Sequence, residues 1–178
     1  MLIELPALAL VLVNVGAWLV IHLGVAWGVT QLSEDRFRVG GWLFRQRRFE
    51  AGGALYDRLF WVSQWKRWLP DGAALFKRGF KKKRLLSREP AYLARFARET
   101  CRGELVHWLT LVAAPLFFLW NPIGVGLVMI AYAVLASVPF IVAQRFNRFR
   151  LERMISGKRG AGAAPVPLAS ISMEAQVQ

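Results

Sequence analysis

The chain opens on a long apolar run. Residues 5–29 contain no Asp, Glu, Lys or Arg over 25 positions, and at ~1.5 Å per helical residue that is more than a ~30 Å hydrocarbon core requires. The run predicts a first spanning helix, interrupted only by Asn14 and His22. No basic segment precedes it and it is too long for a secretory signal, so it is expected to be retained. Two further apolar runs, 105–120 and 123–143, are separated by Asn121-Pro122, a dipeptide that favours a turn. They predict a helical hairpin, with Pro115 and Pro139 disturbing its two arms because each lacks a backbone N–H.

The stretch 30–104 has a different pattern. Trp42, Phe44, Phe49, Tyr56, Phe60, Trp61, Trp65 and Trp68 alternate with Arg and Lys, a mixture suited to the headgroup region. Residues 54–68 are predicted to form one interfacial amphipathic helix, ended by a turn at Pro70-Asp71-Gly72. The basic run Lys81 to Arg84 is expected to be a solvated face touching lipid, with a site for a phosphorylated cofactor as the sharper reading. Beyond Ser156 the chain is rich in Gly, Ala and Pro and is expected to be disordered. The predicted architecture is an all-α integral membrane protein of about three transmembrane helices, forming a single membrane domain over 1–156 with a tail over 157–178.

Composition sharpens this. Of 178 residues 56% are hydrophobic, and the net charge is +13. Such a charge on a soluble chain would suggest nucleic acid, but runs long enough to cross lipid exclude that partner. Eighteen of the 24 Lys and Arg lie within 30–104 and the other six follow Gln144. Positive charge favours the cytoplasmic side, so the expected topology is multi-pass in the cell (inner) membrane, with the N-terminus outside and the C-terminus in the cytoplasm. The single cysteine, Cys101, cannot form an internal disulfide and is expected to be a packing residue.

The candidate chemistry lies where the second run begins. Counting outward from the hairpin turn, Arg145 comes after about 22 residues and His107 after about 14, so antiparallel arms at ~1.5 Å per residue would put His107 ~12 Å deeper. Glu104 and His107 share a helix face. An ionisable pair inside a bilayer costs at least ~2.5 kcal/mol per charged group on insertion scales and usually persists for function. A carboxylate that orients one imidazole nitrogen leaves the other free to act as a general base. Arg102, about one turn away, could neutralise the pair or hold an anion. Two other readings remain open: a charge-balanced network that fixes the hairpin, and a metal site of the Glu-x-x-His kind. With two histidines in the chain and no second such motif, no metal is expected. No Ser stands in a G-x-S-x-G context.

Three blocks, WVSQWKRWLPDGAALF (61–76), RETCRGELVHWLTL (98–111) and VPFIVAQRFNRFRL (138–151), occur in an order and spacing that resembles the glycosyl-4,4'-diaponeurosporenoate acyltransferase family. Weaker similarity over 31–50 extends the resemblance to roughly 28–152. It implies transfer of a fatty acyl group from an activated donor to a sugar hydroxyl on a membrane-bound lipid. His107 would be the general base, Glu104 its orienting partner, and Arg102, Trp108, Asn147, Arg145, Arg148, Trp65, Lys66 and Asp71 the candidates for substrate and donor binding. Phe146 and Phe149 depart from the family pattern, which has Tyr and Pro there. No bound cofactor is expected; acyl-CoA or an acyl carrier protein would be the donor, and membrane lipid and a glycolipid acceptor the partners. A homodimer is plausible, since three spans form a thin wall. Two competing readings are a non-catalytic adaptor that binds anionic lipid or a partner enzyme through the basic aromatic loop, and a subunit of a lipid or ion pathway using His22 and His107. His22 is otherwise expected to pack between helices.

Overall fold

The computed structural model describes residues 6–69 and 85–160. The predicted turn at Pro70-Asp71-Gly72, the basic run Lys81 to Arg84 and most of the expected tail lie outside the described residues. Helices and turns make up the described chain, with no strand among those residues. In order they are α1 (Ala7–Thr30), a 3-10 turn (Glu34–Arg36), a 3-10 segment (Arg48–Gly53), α2 (Ala54–Phe60), α3 (Val62–Trp65), a 3-10 turn (Lys66–Trp68), α4 (Pro90–Ala113), a 3-10 segment (Ala114–Leu119) and α5 (Ile123–Gly160). Three helical stretches are long and apolar enough to cross a membrane: Ala7–Thr30, Pro90–Leu119 and Ile123–Gly157. The chain is an all-α integral membrane protein with three spans.

The helices outrun their apolar cores. α4 begins at Pro90, where a proline at the first helical position loses no hydrogen bond, and not at residue 105 as the charge-free run suggested. Its early turns bury Leu93, Phe96, Ala97, Thr100, Cys101 and Glu104, a spacing of three to four residues that makes one stripe. α5 likewise continues past residue 143 to Gly160 and passes through Pro139. At Pro115 the α-helical pattern gives way to 3-10 bonding, because proline cannot donate back to the preceding turn.

Two compact units are built from these elements. The first comprises the residues up to Ser33 with Arg102–Ile141. Its core is Trp18, Ala114, Phe117 and Ala133, with Trp18 stacked on Phe117 at 4.5 Å between ring centroids. Above it sits a closed polar knot: the Asn14 amide donates to Asn121 Oδ1 at 2.9 Å, while Asn14 Oδ1 accepts from Asn121 Nδ2 at 2.9 Å and from Trp120 Nε1 at 2.8 Å. In lipid no water can satisfy such groups, so amides inside a span are stable when paired. His22 meets Tyr132, with Nε2 and the phenol oxygen 3.4 Å apart. Most of α1's large side chains remain exposed, Leu8 and Val20 among them, as befits a lipid-facing helix.

The second unit comprises Glu34–Cys101 and the residues from Val142 onward. Leu93, Ala94, Phe96 and Ala97 of α4 pack on Leu151 and Ile155 of α5. Tyr56, Val62, Phe146 and Phe149 form a second cluster, with Trp65 against it. The two departures from the expected family pattern, Phe146 and Phe149, thus serve as walls of this cluster. Gly53, at φ +92°, brings the backbone so close that a Cβ there would lie 3.4 Å from the Phe149 ring; glycine suits both the left-handed backbone and the space.

The single helix predicted over 54–68 is broken. Trp61 adopts φ 46°, ends α2 by donating its N–H to Asp57 O at 3.0 Å, and restarts the chain as α3. Asp57 Oδ1 accepts the Ser63 N–H at 2.9 Å, and hydrogen bonds from the Ser63 side chain first and its backbone second hold the Asp57 carboxyl below its ordinary range. Trp42, Phe49, Phe60, Trp61 and Trp68 are exposed in this basic, aromatic-rich helical loop.

Candidate active site

Helix α4 carries Arg102, Glu104, His107 and Trp108 within two turns. Glu104 ends the buried stripe and is fully shielded from solvent. Its Oε1 accepts the Trp108 indole N–H at 3.1 Å, from one turn further along the helix. An indole has a single donor, and in this structure that of Trp108 is spent on the Glu104 carboxyl group. His107, three residues after Glu104 and half-buried, stacks on Phe140 of α5 with centroids 4.6 Å apart and planes 16° from parallel. That contact fixes the ring plane. Arg102 Nη2 donates to Leu32 O at 3.0 Å, just past the end of α1, so its guanidinium also ties α4 to α1.

The remaining candidates lie in the second unit. Lys66 Nζ donates to Asn147 Oδ1 at 2.6 Å and stands 4.6 Å from the centroid of Phe146. Burial strips its hydration and Arg150 repels its charge, with Asp57 opposing; together they bring the amine down to about 8. Trp65 is next to it, its indole N–H donating to Phe60 O. Arg145 is buried: Nε and Nη2 donate to Glu50 at 2.7 and 3.1 Å, Nη1 to Leu43 O at 3.1 Å and Nη2 to Arg45 O at 3.1 Å. Arg148 is fully buried, with Nη1 3.6 Å from Cys101 Sγ and its guanidinium over the Phe44 and Phe149 rings. Asp71 lies outside the described residues.

The sequence reading missed Glu50, which organises this unit. It is 1% exposed and accepts, besides Arg145, the Tyr56 hydroxyl and the Arg47 backbone N–H. Burial alone would raise its carboxyl; the bonds from Arg145, Tyr56 and Arg47 overcome that and hold it below the usual range. Burial and the Glu50 charge push the Tyr56 phenol up. The available signal was a lone acid within a run of arginines.

A family model described as glycosyl-4,4'-diaponeurosporenoate acyltransferase matches residues 41–157. The chain belongs to that family. Relatives of that name from Staphylococcus aureus strains RF122 / ET3-1, MRSA252 and USA300 are each 30% identical over 138 residues, covering 78% of this chain and 83% of the relative. No solved structure matches significantly. Membership makes the chain an acyltransferase, and the family match encloses both groups of side chains described above, from Lys66 through His107 to Arg148, while α1 precedes it.

Proposed function

We propose that this acyltransferase moves a fatty acyl group from a thioester donor to a sugar hydroxyl of a membrane glycolipid, with His107 as general base. The observation that carries the reading is a half-buried imidazole held flat on Phe140, one turn from a fully buried carboxylate. The acceptor hydroxyl gives its proton to His107 as its oxygen attacks the thioester carbonyl; the tetrahedral intermediate collapses with breakage of the C–S bond, and the imidazolium returns the proton to the departing thiolate. A carboxylate at Glu104, steadied by Trp108, stabilises the imidazolium through a medium of low dielectric. No covalent enzyme intermediate is needed. Arg145 and Arg148, both buried, serve the fold in this reading and not the donor. Acceptor and acyl chain approach through lipid, and the donor approaches from the cytoplasm, where the basic loop lies in the N-outside, C-inside topology.

Purified protein in lipid nanodiscs, given labelled acyl-CoA or acyl carrier protein and a glycolipid extract, should form an acyl ester detectable by mass spectrometry. Absence of ester from every thioester donor overturns the reading. Glu104→Gln should lower turnover less than His107→Ala, because the amide keeps an acceptor for Trp108; an equal loss would assign Glu104 a structural or metal-binding role. The exposed Trp42, Phe49, Trp61 and Trp68 favour an added role for the loop in binding anionic lipid, which requires that their replacement by Ala weaken binding to anionic vesicles while His107→Ala does not.

A further inference from the structure

A cavity of about 520 Å³ lies wholly within the second unit, with Asp35, Arg38, Gly40, Arg98 and Glu152 in its lining. Its size falls within the ~300–1,000 Å³ of small-molecule sites. The space exists because α4 presents alanines, one turn apart at Ala94 and Ala97, opposite Glu152 and Ile155, also one turn apart on α5. Most of the lining surface is thus apolar. Charges of both signs line it: Arg38 is exposed, Arg98 sits 3.4 Å from Glu34, and Asp35 and Glu152 supply carboxyl groups.

That combination selects among ligands. An acyl chain would suit the walls but leave the four ionisable groups without use. A simple anion would suit the arginines but meet two carboxyl groups. A slender chain bearing amides suits all of them, since its carbonyls accept from guanidinium and its N–H groups donate to carboxylate. Arg36, flanked in sequence by the lining residues Asp35 and Phe37, is exposed, as is Arg38, and each guanidinium offers a phosphate a planar donor.

We infer that this cavity receives the phosphopantetheine arm of the acyl donor, the chemistry that coenzyme A and acyl carrier protein share. The inference rests on the thioester chemistry proposed above and adds to it a binding site made of residues outside the candidate catalytic group.

Gly40 supplies the test. A Cβ built there meets nothing within 4 Å, so Gly40→Phe can close the groove without displacing the fold, and Arg38→Glu reverses an exposed charge at its mouth. The dissociation constants of coenzyme A, holo-carrier protein, apo-carrier protein and palmitate are measured for the full chain in nanodiscs. Wild type should bind coenzyme A, holo-carrier protein or both, and holo-carrier protein more tightly than the arm-less apo form. Each variant should weaken arm binding at least about tenfold and leave palmitate unchanged. Coenzyme A alone, or the carrier alone, would identify the natural donor. The inference is overturned if neither arm-bearing ligand binds, if apo- and holo-carrier bind alike, or if both variants bind as wild type does. Binding without acyl transfer from any thioester would instead overturn the proposed reaction and leave the cavity assignment standing.

Discussion

Replacing Glu50 by Gln should destabilise the second unit far more than its place in a surface-coded loop suggests. The side chain is 1% exposed and its principal partner, Arg145, is 7% exposed. The amide keeps an acceptor for Tyr56 but turns an N–H₂ group toward donors of Arg145 and Arg47, leaving a buried guanidinium without its counter-charge. Removing one member of such a pair costs ~3–5 kcal/mol. Tyr56→Phe, which removes one bond to the charged group, should cost ~1.5–3 kcal/mol. The double replacement Glu50→Leu with Arg145→Met removes both charges and should recover most of the loss. Unfolding is followed by tryptophan fluorescence in detergent, with proteolysis of the loop as a local probe. Acid provides an independent check on sign. Because the folded Glu50 carboxyl is held low, its contribution is complete above the ordinary carboxylate range and is lost as pH falls through the folded value; the Gln variant should lack that part of the acid transition. A Glu50→Gln cost below about 1 kcal/mol, the scale of an exposed ion pair, would refute the reasoning.

Three further outcomes follow from the geometry. Asn14→Leu severs three hydrogen bonds to Asn121 and Trp120 and, at ~0.6 kcal/mol per bond in membranes, should lower stability by about 2 kcal/mol in a denaturation series; an unchanged midpoint would show the knot to be neutral. Gly126→Ala places a Cβ 2.3 Å from the Phe118 ring, so ~1–3 kcal/mol of overpacking is expected, relieved when Phe118→Ala is added; failure of that rescue contradicts the contact. Lys66, lowered to about 8, should react with an amine reagent with a midpoint near that value. Folding disfavours its charged form, so the penalty on stability is complete below about 8 and fades as pH rises toward the ordinary lysine range; a midpoint near that of a free lysine would refute the burial argument.

How far the sequence reaches depends on the kind of signal. The three spans were legible because charge-free runs of 25, 16 and 21 residues, at 5–29, 105–120 and 123–143, have few soluble explanations. The first four turns of α4 were not, because Arg95, Arg98, Glu99 and Arg102 interrupt the hydropathy there while the buried stripe from Leu93 to Glu104 keeps a helical period. Charge counting found the lipid-facing part of the helix and overlooked its protein-facing part. The break at Trp61 was hidden for another reason: a left-handed residue is ordinarily flagged by Gly or Asn, and here it is a tryptophan. Glu104 and His107 stood out as ionisable groups at the edge of an apolar run, whereas Trp108's bond to Glu104 and the Phe140 stack depend on side-chain contacts that spacing does not specify. Arg145 shows the limit most clearly. The resemblance placed it among the candidates for substrate and donor binding, and only the fold reveals that it is bonded to Glu50, 95 residues away in sequence.

The most direct test of the central claim is single-turnover acyl transfer by His107→Gln, which keeps ring-sized bulk against Phe140 but offers no basic nitrogen. Transfer should fall ~10²–10⁴-fold, the usual contribution of a general base, while the variant still folds and binds donor as wild type does. Turnover within a few-fold of wild type would mean that the imidazole takes no proton, and the proposed chemistry would have to be abandoned.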